Sequence, residues 1–271
     1  MTTKEPKSIN EYKIWLKNIC GTKNLVLLDE YDYFFKATKI KNCFERSDLW
    51  TQLIKNLNSY NDEYSVNNFG YKLLMPVPQN KIYEPGLIIK PYESFLPKTF
   101  RKNVLENKSW PNEPKDGWIL PNNWYSRIDD VVRTTFFVKY LNGVEFLKNK
   151  IDSLCKTNKK KIDFYLKAKE EGYYAAHLYI TERVEIPKMP WGTETVSAQI
   201  EIKITTQIKE VIQKLLHGYY EKKRMEAKMI KKKDVKWQWD YRSNEFNVNY
   251  LGHIIHYIEG VIINVRDKQN N

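Results

Sequence analysis

Apolar and polar residues alternate in the segment QIEIKITT, which begins at Gln199 and carries Ile200, Ile202 and Ile204 at every second position. A period of two predicts a β-strand, because successive side chains of a strand point to opposite faces. The three isoleucines are therefore expected to face a core. Glu201 lies between two of them, so it is expected on the more open face of a sheet.

A helix is predicted directly after this strand. From residue 207 onward the apolar positions change to a spacing of about 3.6, and a threonine pair stands where an N-cap is expected. The apolar stripe is expected to pack this helix behind the strand. It consists of Ile208, Val211, Ile212, Leu215 and Leu216.

The N-terminal hundred residues show two kinds of pattern. Residues 8–60 repeat apolar positions at helical spacing and predict a helical N-terminal region. Residues 61–100 contain Pro76, Pro78, Pro85, Pro91 and Pro97, which disfavour a long helix. This second stretch is predicted to be extended and to lie on the surface of the main domain.

The rest of the chain predicts helices and strands in alternation, which favours an α/β (α+β) fold with a mixed sheet of about five strands flanked by helices. We expect a single domain over residues 1–271, with its core at about 90–225 and a helical C-terminal extension at 237–268. The predicted elements are a short helix at 124–129, a strand at 130–138 that Asp130 opens, a helix to about 156, a strand at 162–167, a hairpin from 171, a basic helical tail at 221–236 and a helix at 251–265.

The excess of basic over acidic residues indicates a polyanion as a binding partner. Lys and Arg number 45 against 33 Asp and Glu, a formal net charge of +12, which attracts polyanions such as nucleic acid. A lysine-rich proteome is the alternative explanation, since net charge says nothing about fold. The candidate residues for contact with a nucleic acid are Lys159, Lys160, Lys161, Lys222, Lys223 and Arg224.

The cysteines and the hydropathy of the chain indicate the cellular compartment in which the protein is expected. Cys20, Cys43 and Cys155 are widely spaced and lack a CxxC pair, which disfavours a disulfide framework or a zinc site and fits a reducing cytosol. No apolar run reaches the roughly 18 residues of a membrane span, so we expect a cytoplasmic protein without a membrane partner. His253 and His256 lie in an apolar stretch without the cysteine or carboxylate cluster of a metal site.

Two segments carry a resemblance to the synthetase domain of the RelA/SpoT family. The segment GYYAAH at 172–177 resembles the family's glycine-tyrosine loop, GYxSxH in its usual form. The segment EIKITT that begins at Glu201 is similar to the family's EIQIRT strand. His217, sixteen residues after that glutamate, takes the place of a family histidine, for which we expect a structural role in the site wall.

Further pieces in the same order strengthen the resemblance. Asp130 opens a strand as the family's metal-binding aspartate does, and Arg101-Lys102 lies a little under thirty residues before it, where the family carries an Arg/Lys segment. The resemblance implies a nucleotidyltransferase-like fold and an ATP-dependent pyrophosphokinase that transfers pyrophosphate to a ribose 3'-hydroxyl. It also implies Mg²⁺ as cofactor, held by Asp130 and Glu201, and ATP phosphates neutralised by Arg101, Lys102, Lys108 and Arg133.

The chemistry of these residue types agrees with that role. Phosphoryl-type transfer depends mainly on positioning and charge neutralisation, so two carboxylates holding Mg²⁺ against ATP form a plausible catalytic centre. Glu201 is also a candidate acceptor for the proton of the attacking hydroxyl. Tyr173 offers a flat face for stacking of the acceptor base. Tyr174 and His177 are the other candidate acceptor-binding residues, with simple packing as the alternative for Tyr174.

The acceptor is where the sequence departs from the alarmone synthetases. Tyr174 and Ala175 stand where those enzymes carry an arginine and a serine, and the missing cation disfavours a guanine nucleotide as acceptor. The run from Trp110 to Trp118 and the loop look like the small toxic branch of the family. That likeness implies a toxin that pyrophosphorylates the 3' CCA end of tRNA, blocks aminoacylation and translation, and is neutralised by an antitoxin encoded nearby.

Two alternatives stay open. A small alarmone synthetase that makes (p)ppGpp or (pp)pApp would use the same ATP site and metal with a free guanine or adenine nucleotide as acceptor. A basic RNA-binding module that keeps only the fold is the non-enzymatic alternative. Retention of both Asp130 and Glu201 argues against that module.

Overall fold

The computed structural model describes residues 4–74, 76–77, 81–82, 85–169, 172–187, 191–226 and 237–270. Its helices are α1 (Ile9–Thr22), α2 (Glu30–Glu45), α3 (Asp48–Val66), α4 (Tyr92–Phe100), α5 (Trp124–Arg127), α6 (Leu141–Thr157), α7 (Gln207–Glu226) and α8 (Asn244–Gln269). A π-helical turn (Arg101–Leu105) continues α4, and a 3-10 turn (Trp237–Trp239) precedes α8. The strands are β1 (Pro76–Val77), β2 (Lys81–Ile82), β3 (Ile88–Ile89), β4 (Val132–Val138), β5 (Ile162–Ala168), β6 (Tyr174–Pro187) and β7 (Thr193–Thr206).

The larger sheet confirms the predicted fold class. Its five strands are hydrogen-bonded in the order β3-β4-β7-β6-β5, and β1 pairs with β2 in a separate small sheet. β3 runs antiparallel to β4, with Ile88 opposite Arg133 and Ile89 opposite Val132. Helices precede, connect and follow these strands, so the chain forms an α/β protein with a mixed five-stranded sheet. No helix in the described ranges is long and apolar enough to cross a membrane.

The alternation predicted for β7 is confirmed. Ile200, Ile202 and Ile204 are fully buried, whereas Glu201 and Lys203 between them are partly exposed. Burial of three isoleucines on one face stabilises this part of the sheet by several kcal/mol in total, at roughly 1.5–3 kcal/mol per side chain. The same alternation holds Glu201 on the opposite face.

The prediction that the apolar stripe of α7 packs inward is wrong for three of its five residues, while Ile212 and Leu216 are half-buried. Ile208, Val211 and Leu215 are 40, 52 and 75 % exposed, whereas Lys209 is only 4 % exposed. The Thr206 hydroxyl caps the helix by accepting the Lys209 backbone N–H at 3.3 Å. The helix register that follows from this cap turns Lys209, and not the apolar stripe, toward the interior.

The prediction of a surface-lying extended segment over residues 61–100 is also wrong in part. Helix α4 includes Pro97, and Phe95, Leu96 and Phe100 on this helix are buried. These three apolar residues recur at near-helical spacing, and burying them outweighs the backbone hydrogen bond that proline removes. The predicted strand at 130–138 begins two residues later than expected, so Asp130 lies in the turn that leads into β4.

Contacts divide the chain into two compact units, each assembled from three segments. The first consists of Met1–Ser47, Leu87–Arg133 and Tyr179–Glu201, and the second of Asp48–Gly86, Thr134–Leu178 and Ile202–Asn271. In the first, α1 and α4 share an aromatic core in which Tyr12 and Phe100 have ring centroids 5.0 Å apart. Tyr33, Phe95 and Trp124 form a second group of mutually contacting rings in the same unit.

The second unit is built around helix-on-helix packing. α3 packs on α6, where Leu53, Leu57, Leu147 and Ile151 are all buried. The C-terminal helix α8 is attached through Arg266, whose guanidinium donates to the Tyr64 hydroxyl and lies 5.0–5.5 Å from the ring centroids of Tyr71 and Tyr140. The helical C-terminal extension is therefore part of a packed unit.

Candidate active site

Asp130 is the centre of a buried charge cluster in the first unit. Its Oδ2 accepts a hydrogen bond from Lys90 Nζ at 3.0 Å, and its Oδ1 accepts one from Lys98 Nζ at 2.9 Å. Lys98 also donates to Asp129 Oδ1 at 2.6 Å, so one ammonium bridges two neighbouring carboxylates. Arg133 lies at the edge of the cluster, 4.0 Å from Asp130 Oδ2.

The backbone explains why Lys90 meets Asp130. β3 ends one residue before Lys90, and the Lys90 N–H donates to the Val131 carbonyl at 2.8 Å, which extends the β3–β4 ladder to the residue directly after Asp130. Lys98 reaches the same carboxylate from α4, on which it stands in the last turn. A strand edge and a helix therefore deliver one lysine each to the two oxygens of Asp130.

The pKa shifts in this cluster follow from its ion pairs. Burial would raise the pKa of Asp130, but Lys98 and Lys90 outweigh it and lower the pKa to about 2. Burial would likewise lower the pKa of Lys98, but Asp130 and Asp129 raise it above its usual value. For Lys90 burial dominates and lowers the pKa. The site therefore keeps Asp130 ionised throughout the physiological range.

Glu201 is joined to a residue that the motifs do not include. The Tyr179 hydroxyl donates a hydrogen bond to Glu201 Oε1 at 3.3 Å. Tyr179 is 7 % exposed, and its pKa is raised by burial, then by Glu201, Asp129 and Asp130. The hydroxyl therefore stays protonated and remains a donor to the glutamate.

The same tyrosine is linked electrostatically to both predicted catalytic acids. Burial is the largest cause of its raised pKa, and the negative charges of Glu201, Asp129 and Asp130 raise that pKa further. All three carboxylates therefore act on one buried hydroxyl of the first unit. That Asp130 and Glu201 hold one metal ion stays a prediction.

The predicted ATP-binding cations have different surroundings. Arg101 Nε forms an ion pair with Glu106 at 3.0 Å, and Lys102 Nζ donates to the Arg127 carbonyl at 3.1 Å. Burial lowers the pKa of Lys102. Lys108 is exposed, in the loop that follows the π-helical turn. Arg101 and Lys102 therefore stand one turn beyond Lys98 on the α4 segment, whereas Lys108 is separate from that row.

The glycine-tyrosine loop lies in the second unit and forms a tight turn into β6. The Lys169 N–H donates to the Tyr173 carbonyl at 2.8 Å, and the Gly172 N–H donates to the Lys169 carbonyl at 2.9 Å. The Tyr173 hydroxyl and His177 Nε2 are 2.7 Å apart and hydrogen-bonded. Tyr173 is partly exposed, and Lys169 Nζ lies 6.0 Å from the centre of its ring. The turn thus presents an aromatic face next to a cation.

Tyr174 is placed differently from its neighbour. It is 6 % exposed and stacks on His256 of α8 with ring centroids 4.1 Å apart. Lys209 Nζ lies 5.1 Å from the centre of the same ring. These contacts correspond to the packing alternative for Tyr174, while its role in acceptor binding stays a prediction.

The candidate tRNA-binding residues fall into two groups. Lys159 and Lys161 are exposed and Lys160 is partly buried in the turn between α6 and β5. Lys222, Lys223 and Arg224 belong to α7 by their backbone, but their side chains lie outside the described residues, as does the side chain of His217. The predicted helical tail beyond Glu226, over residues 227–236, also lies outside them.

Four residues of the charge cluster were missed by the sequence interpretation. Lys90 and Lys98 carry no spacing signal, because tertiary folding brings them to Asp130 from separate segments. Tyr179 had a usable signal: it is two residues beyond His177 in a strand, so period two predicts that both point to the same face. The adjacent acidic pair Asp129-Asp130 was also visible in the sequence.

The carboxylates fit a magnesium site completed by substrate. Among the described residues no group of three or more His, Cys, Asp or Glu is arranged to hold a metal. Mg²⁺ is commonly bound by one or two carboxylates together with substrate phosphates, and Asp130 and Glu201 provide two. Both oxygens of Asp130 are held by lysines here, so metal binding requires those ammonium groups to find phosphate oxygens in exchange.

Comparison with known proteins yields structural likeness only. No protein-family model matches the chain, and no curated protein matches its sequence. Among solved structures, the small alarmone synthetase 1 from Bacillus subtilis bound to its product pppGpp is 13 % identical, with a TM-score of 0.48 over 82 % of this chain and 92 % of its own. The small alarmone synthetase 2 from the same organism is 16 % identical, with a TM-score of 0.46 over 82 % and 99 % of the two chains. A GTP pyrophosphokinase family protein from Streptococcus pneumoniae is 14 % identical, with a TM-score of 0.49 over 90 % and 98 %.

Proposed function

We propose that this protein is an ATP-dependent pyrophosphokinase that transfers the β,γ-pyrophosphoryl group of ATP to a ribose 3'-hydroxyl. The observation that carries the proposal is the buried Tyr179 hydroxyl, which donates to Glu201 and whose pKa the charges of Asp129 and Asp130 also raise. A convergent set of carboxylates beside buried lysines is what a charge-neutralising phosphoryl-transfer site requires. The sequence motifs around Asp130 and Glu201 support the same reaction.

The proposed step conserves atoms and charge. The acceptor 3'-oxygen forms a bond to the β-phosphorus of ATP, the bond from that phosphorus to the oxygen of AMP breaks, and AMP leaves. Glu201 accepts the proton of the hydroxyl, and the Tyr179 hydroxyl holds the carboxylate in place. Bound Mg²⁺, held by Asp130 and Glu201, would neutralise charge on the ATP phosphates.

The lysines have a defined part in this proposal. Lys90 and Lys98 neutralise Asp130 in the free protein, so the acid is kept ionised and in position before ATP arrives. We expect them to contact donor phosphates in the complex, together with Arg101, Lys102 and Arg133. Such exchange of ion-pair partners keeps each buried charge compensated, which avoids the large penalty of an unpaired buried charge.

A free purine nucleotide is the acceptor that we propose first. The similar solved structures include two small alarmone synthetases, one of them bound to pppGpp. Lys169 Nζ, 6.0 Å from the Tyr173 ring centre, supports this acceptor independently of that likeness. A base stacked on Tyr173 would place its phosphates within reach of a cation that loop position 174 does not supply.

The tRNA 3' end remains a second candidate because of the loop sequence and the exposed lysines before β5. Tyr174 and Ala175 are buried at the start of β6 and are uncharged, so these two positions offer no cation to a 5'-phosphate. In this version the protein is a translation-blocking toxin with tRNA and an antitoxin as partners. Lys159 and Lys161 would contact tRNA phosphates, and transfer to tRNA would then fall steeply as salt is raised.

One transfer assay tests both the reaction and the acceptor. The protein is incubated with Mg²⁺, ATP labelled at the γ-phosphate and, in separate reactions, GDP, GTP, AMP or deacylated tRNA. Label on a nucleotide supports the first acceptor, and label on the tRNA 3' end supports the second. Absence of label on all four acceptors, with a protein that is folded by circular dichroism, contradicts the pyrophosphokinase proposal.

A further inference from the structure

The turn that carries Tyr173 is in contact with two helices of the same unit, α7 and α8. Lys209 of α7 approaches it from one side and the backbone of α8 from the other. The Lys209 ammonium donates a hydrogen bond to the Gly172 carbonyl, with 2.5 Å between Nζ and the oxygen. The carbonyl belongs to the residue immediately before Tyr173, so any change in this bond acts directly on the base-stacking residue.

Lys209 is an unusual residue for this position. It is 4 % exposed, and no carboxylate of the described residues contributes to its pKa, which burial lowers to about 8. Its ammonium contacts one backbone carbonyl, that of Gly172, and the face of the Tyr174 ring. A buried cation without a carboxylate partner is costly, so the contacts that it makes to the turn have to offset that cost.

α8 touches the turn through glycine. A Cβ placed on Gly172 would lie 2.5 Å from the Gly252 carbonyl carbon and 2.5 Å from the His253 nitrogen. Gly172 also has a φ of +69°, a conformation that L side chains rarely adopt. The turn and the helix backbone are therefore in direct contact, and neither Gly172 nor its surroundings leaves space for a side chain.

The side chain after the turn is fixed from the same directions. Tyr174 stacks on His256 of α8 at 4.1 Å with an interplanar angle of 24°, and Lys209 Nζ lies 5.1 Å from its ring centre. Tyr173, between the two gripped residues, is the one that remains partly exposed. The contacts on either side thus constrain the direction in which its ring faces.

We propose that Lys209 is a positioning residue for the acceptor: with Gly252 and His256 of α8, it fixes the Gly172 turn and so orients Tyr173 for base stacking. This inference rests on the proposed function, since it assigns the turn to acceptor binding. It makes the C-terminal helix α8 a component of acceptor recognition. Lys209 itself does not contact the acceptor, because it is buried and its ammonium is engaged with Gly172.

Kinetics separate this role from a general structural one. Lys209→Met keeps the length of the side chain but leaves the Gly172 carbonyl without its donor, and we expect the acceptor KM to rise by roughly tenfold or more. The KM for ATP should change less than twofold, because the proposed ATP-binding residues belong to the first unit and Lys209 belongs to the second. Lys209→Arg should recover part of the acceptor affinity. Lys214→Met is the matched control on α7, since the Lys214 side chain is 71 % exposed, and it should behave as wild type.

An acceptor KM of Lys209→Met within twofold of wild type would overturn the proposal. An equal rise in the KM for ATP would do the same, because it would indicate general damage and not loss of a positioned turn. His256→Phe and His256→Ala provide a second pair if Lys209→Met does not fold. We expect the phenylalanine to preserve acceptor KM through its stack on Tyr174 and the alanine to raise it, and equal KM values for the two would count against the proposal.

Hydrogen exchange tests whether Lys209 holds the Gly172 turn, and it does not depend on enzymatic activity. The Gly172 and Lys169 amides are hydrogen-bonded within the turn, and we expect both to exchange faster in Lys209→Met than in wild type or Lys214→Met. Unchanged exchange would show that Lys209 does not hold the turn. If wild type transfers no pyrophosphate but Lys209→Met accelerates exchange, the proposed function is contradicted. The conclusion that Lys209 holds the Gly172 turn is then retained as a structural finding.

Discussion

The charge cluster at Asp130 and the buried face of α8 differ in whether their buried polar groups have hydrogen-bond or ion-pair partners. At Asp130 each carboxylate oxygen has a lysine, and Lys98 serves two acids at once. On α8, Asn249 and Glu259 are 1 and 3 % exposed, yet among the described residues their side-chain polar atoms have no hydrogen-bond partner. Only the first region is organised as a set of compensated charges, which is the property that a site for ATP phosphates requires.

The outer face of α8 extends the contrast. Tyr250, Tyr257 and Val265 on this helix are 53, 75 and 48 % exposed, while the polar Asn249 and Glu259 point inward. Such an inverted distribution contributes little burial of apolar surface and adds buried polar groups. α8 therefore gains its position through a few specific contacts, those of Arg266, Gly252 and His256, and not through an apolar core face.

The largest expected effect is at the catalytic acids. Glu201→Gln removes the proposed base and a metal ligand while keeping shape, and we expect kcat for pyrophosphate transfer to fall by roughly a thousandfold or more. Asp130→Asn should lower it by a similar factor. Glu185→Gln, an exposed substitution on β6, is the matched control and should leave the rate unchanged. Full activity of Glu201→Gln would contradict the proposal that Glu201 and the charge cluster at Asp130 form the catalytic region.

Breaking the buried ion-pair cluster should have the next largest effect. Lys98→Met leaves Asp129 and Asp130 without their shared cation, and we expect it to lower the free energy of unfolding by about 3 kcal/mol at pH 7. Lys72→Met is the control, since the Lys72–Asp62 pair is as short, at 2.9 Å, but largely exposed, and its loss should change little. Urea unfolding of the three proteins measures the difference. Equal destabilisation by the two substitutions would contradict a special role for the cluster.

The same cluster has a defined pH dependence. The folded pKa of Asp130, about 2, lies below the ordinary aspartate value of 3.8, so its contribution to stability is present above the unfolded pKa and is lost as pH falls toward 2. Lys98→Met raises the folded pKa of Asp130 toward its unfolded value, so the stability that Asp130 loses as pH falls should be smaller in the variant than in wild type. Unfolding free energies between pH 2 and 5 test this sign.

The contribution of Glu259 to stability has the opposite pH dependence from that of Asp130. Burial raises its pKa to about 8, so its contribution is fully present below the unfolded pKa near 4.5 and is lost as pH rises through about 8. Glu259→Gln removes the titrating group, and we expect it to raise Tm by a few degrees at pH 8 and by less at pH 5. Thermal scans at the two pH values measure the difference. A stabilisation that is the same at both would contradict the assignment of a buried, titrating Glu259.

The smallest expected effect is at Tyr179. Tyr179→Phe removes the hydroxyl that donates to Glu201 at 3.3 Å, and we expect kcat to fall about two- to tenfold with the KM for ATP nearly unchanged. The bond is long and the glutamate remains, which limits the loss. A rate reduction as large as that of Glu201→Gln would mean that Tyr179 is itself a catalytic residue and would require a revised step.

The sequence predicted the elements whose signals are local. Alternation along β7 placed Glu201 on the open face, and the strand and helix order gave the five-stranded mixed sheet. Lys98 and Lys90 were not predictable, because they reach Asp130 only through the packing of α4 and β3. The exposed stripe of α7 shows a different failure: five apolar residues at helical spacing outweighed a single lysine in the pattern, but the Thr206 cap turned Lys209 inward.

The claim that Asp130 and Glu201 serve one metal-bound triphosphate is tested most directly by Mn²⁺ binding in the presence of a non-hydrolysable ATP analogue, followed by electron paramagnetic resonance. We expect wild type to bind Mn²⁺ tightly, Asp130→Asn and Glu201→Gln each to lose most of that affinity, and the double variant to lose little more, because two ligands of one ion are not additive. Retention of wild-type Mn²⁺ affinity by either single variant, or losses that add in full, would contradict a shared site.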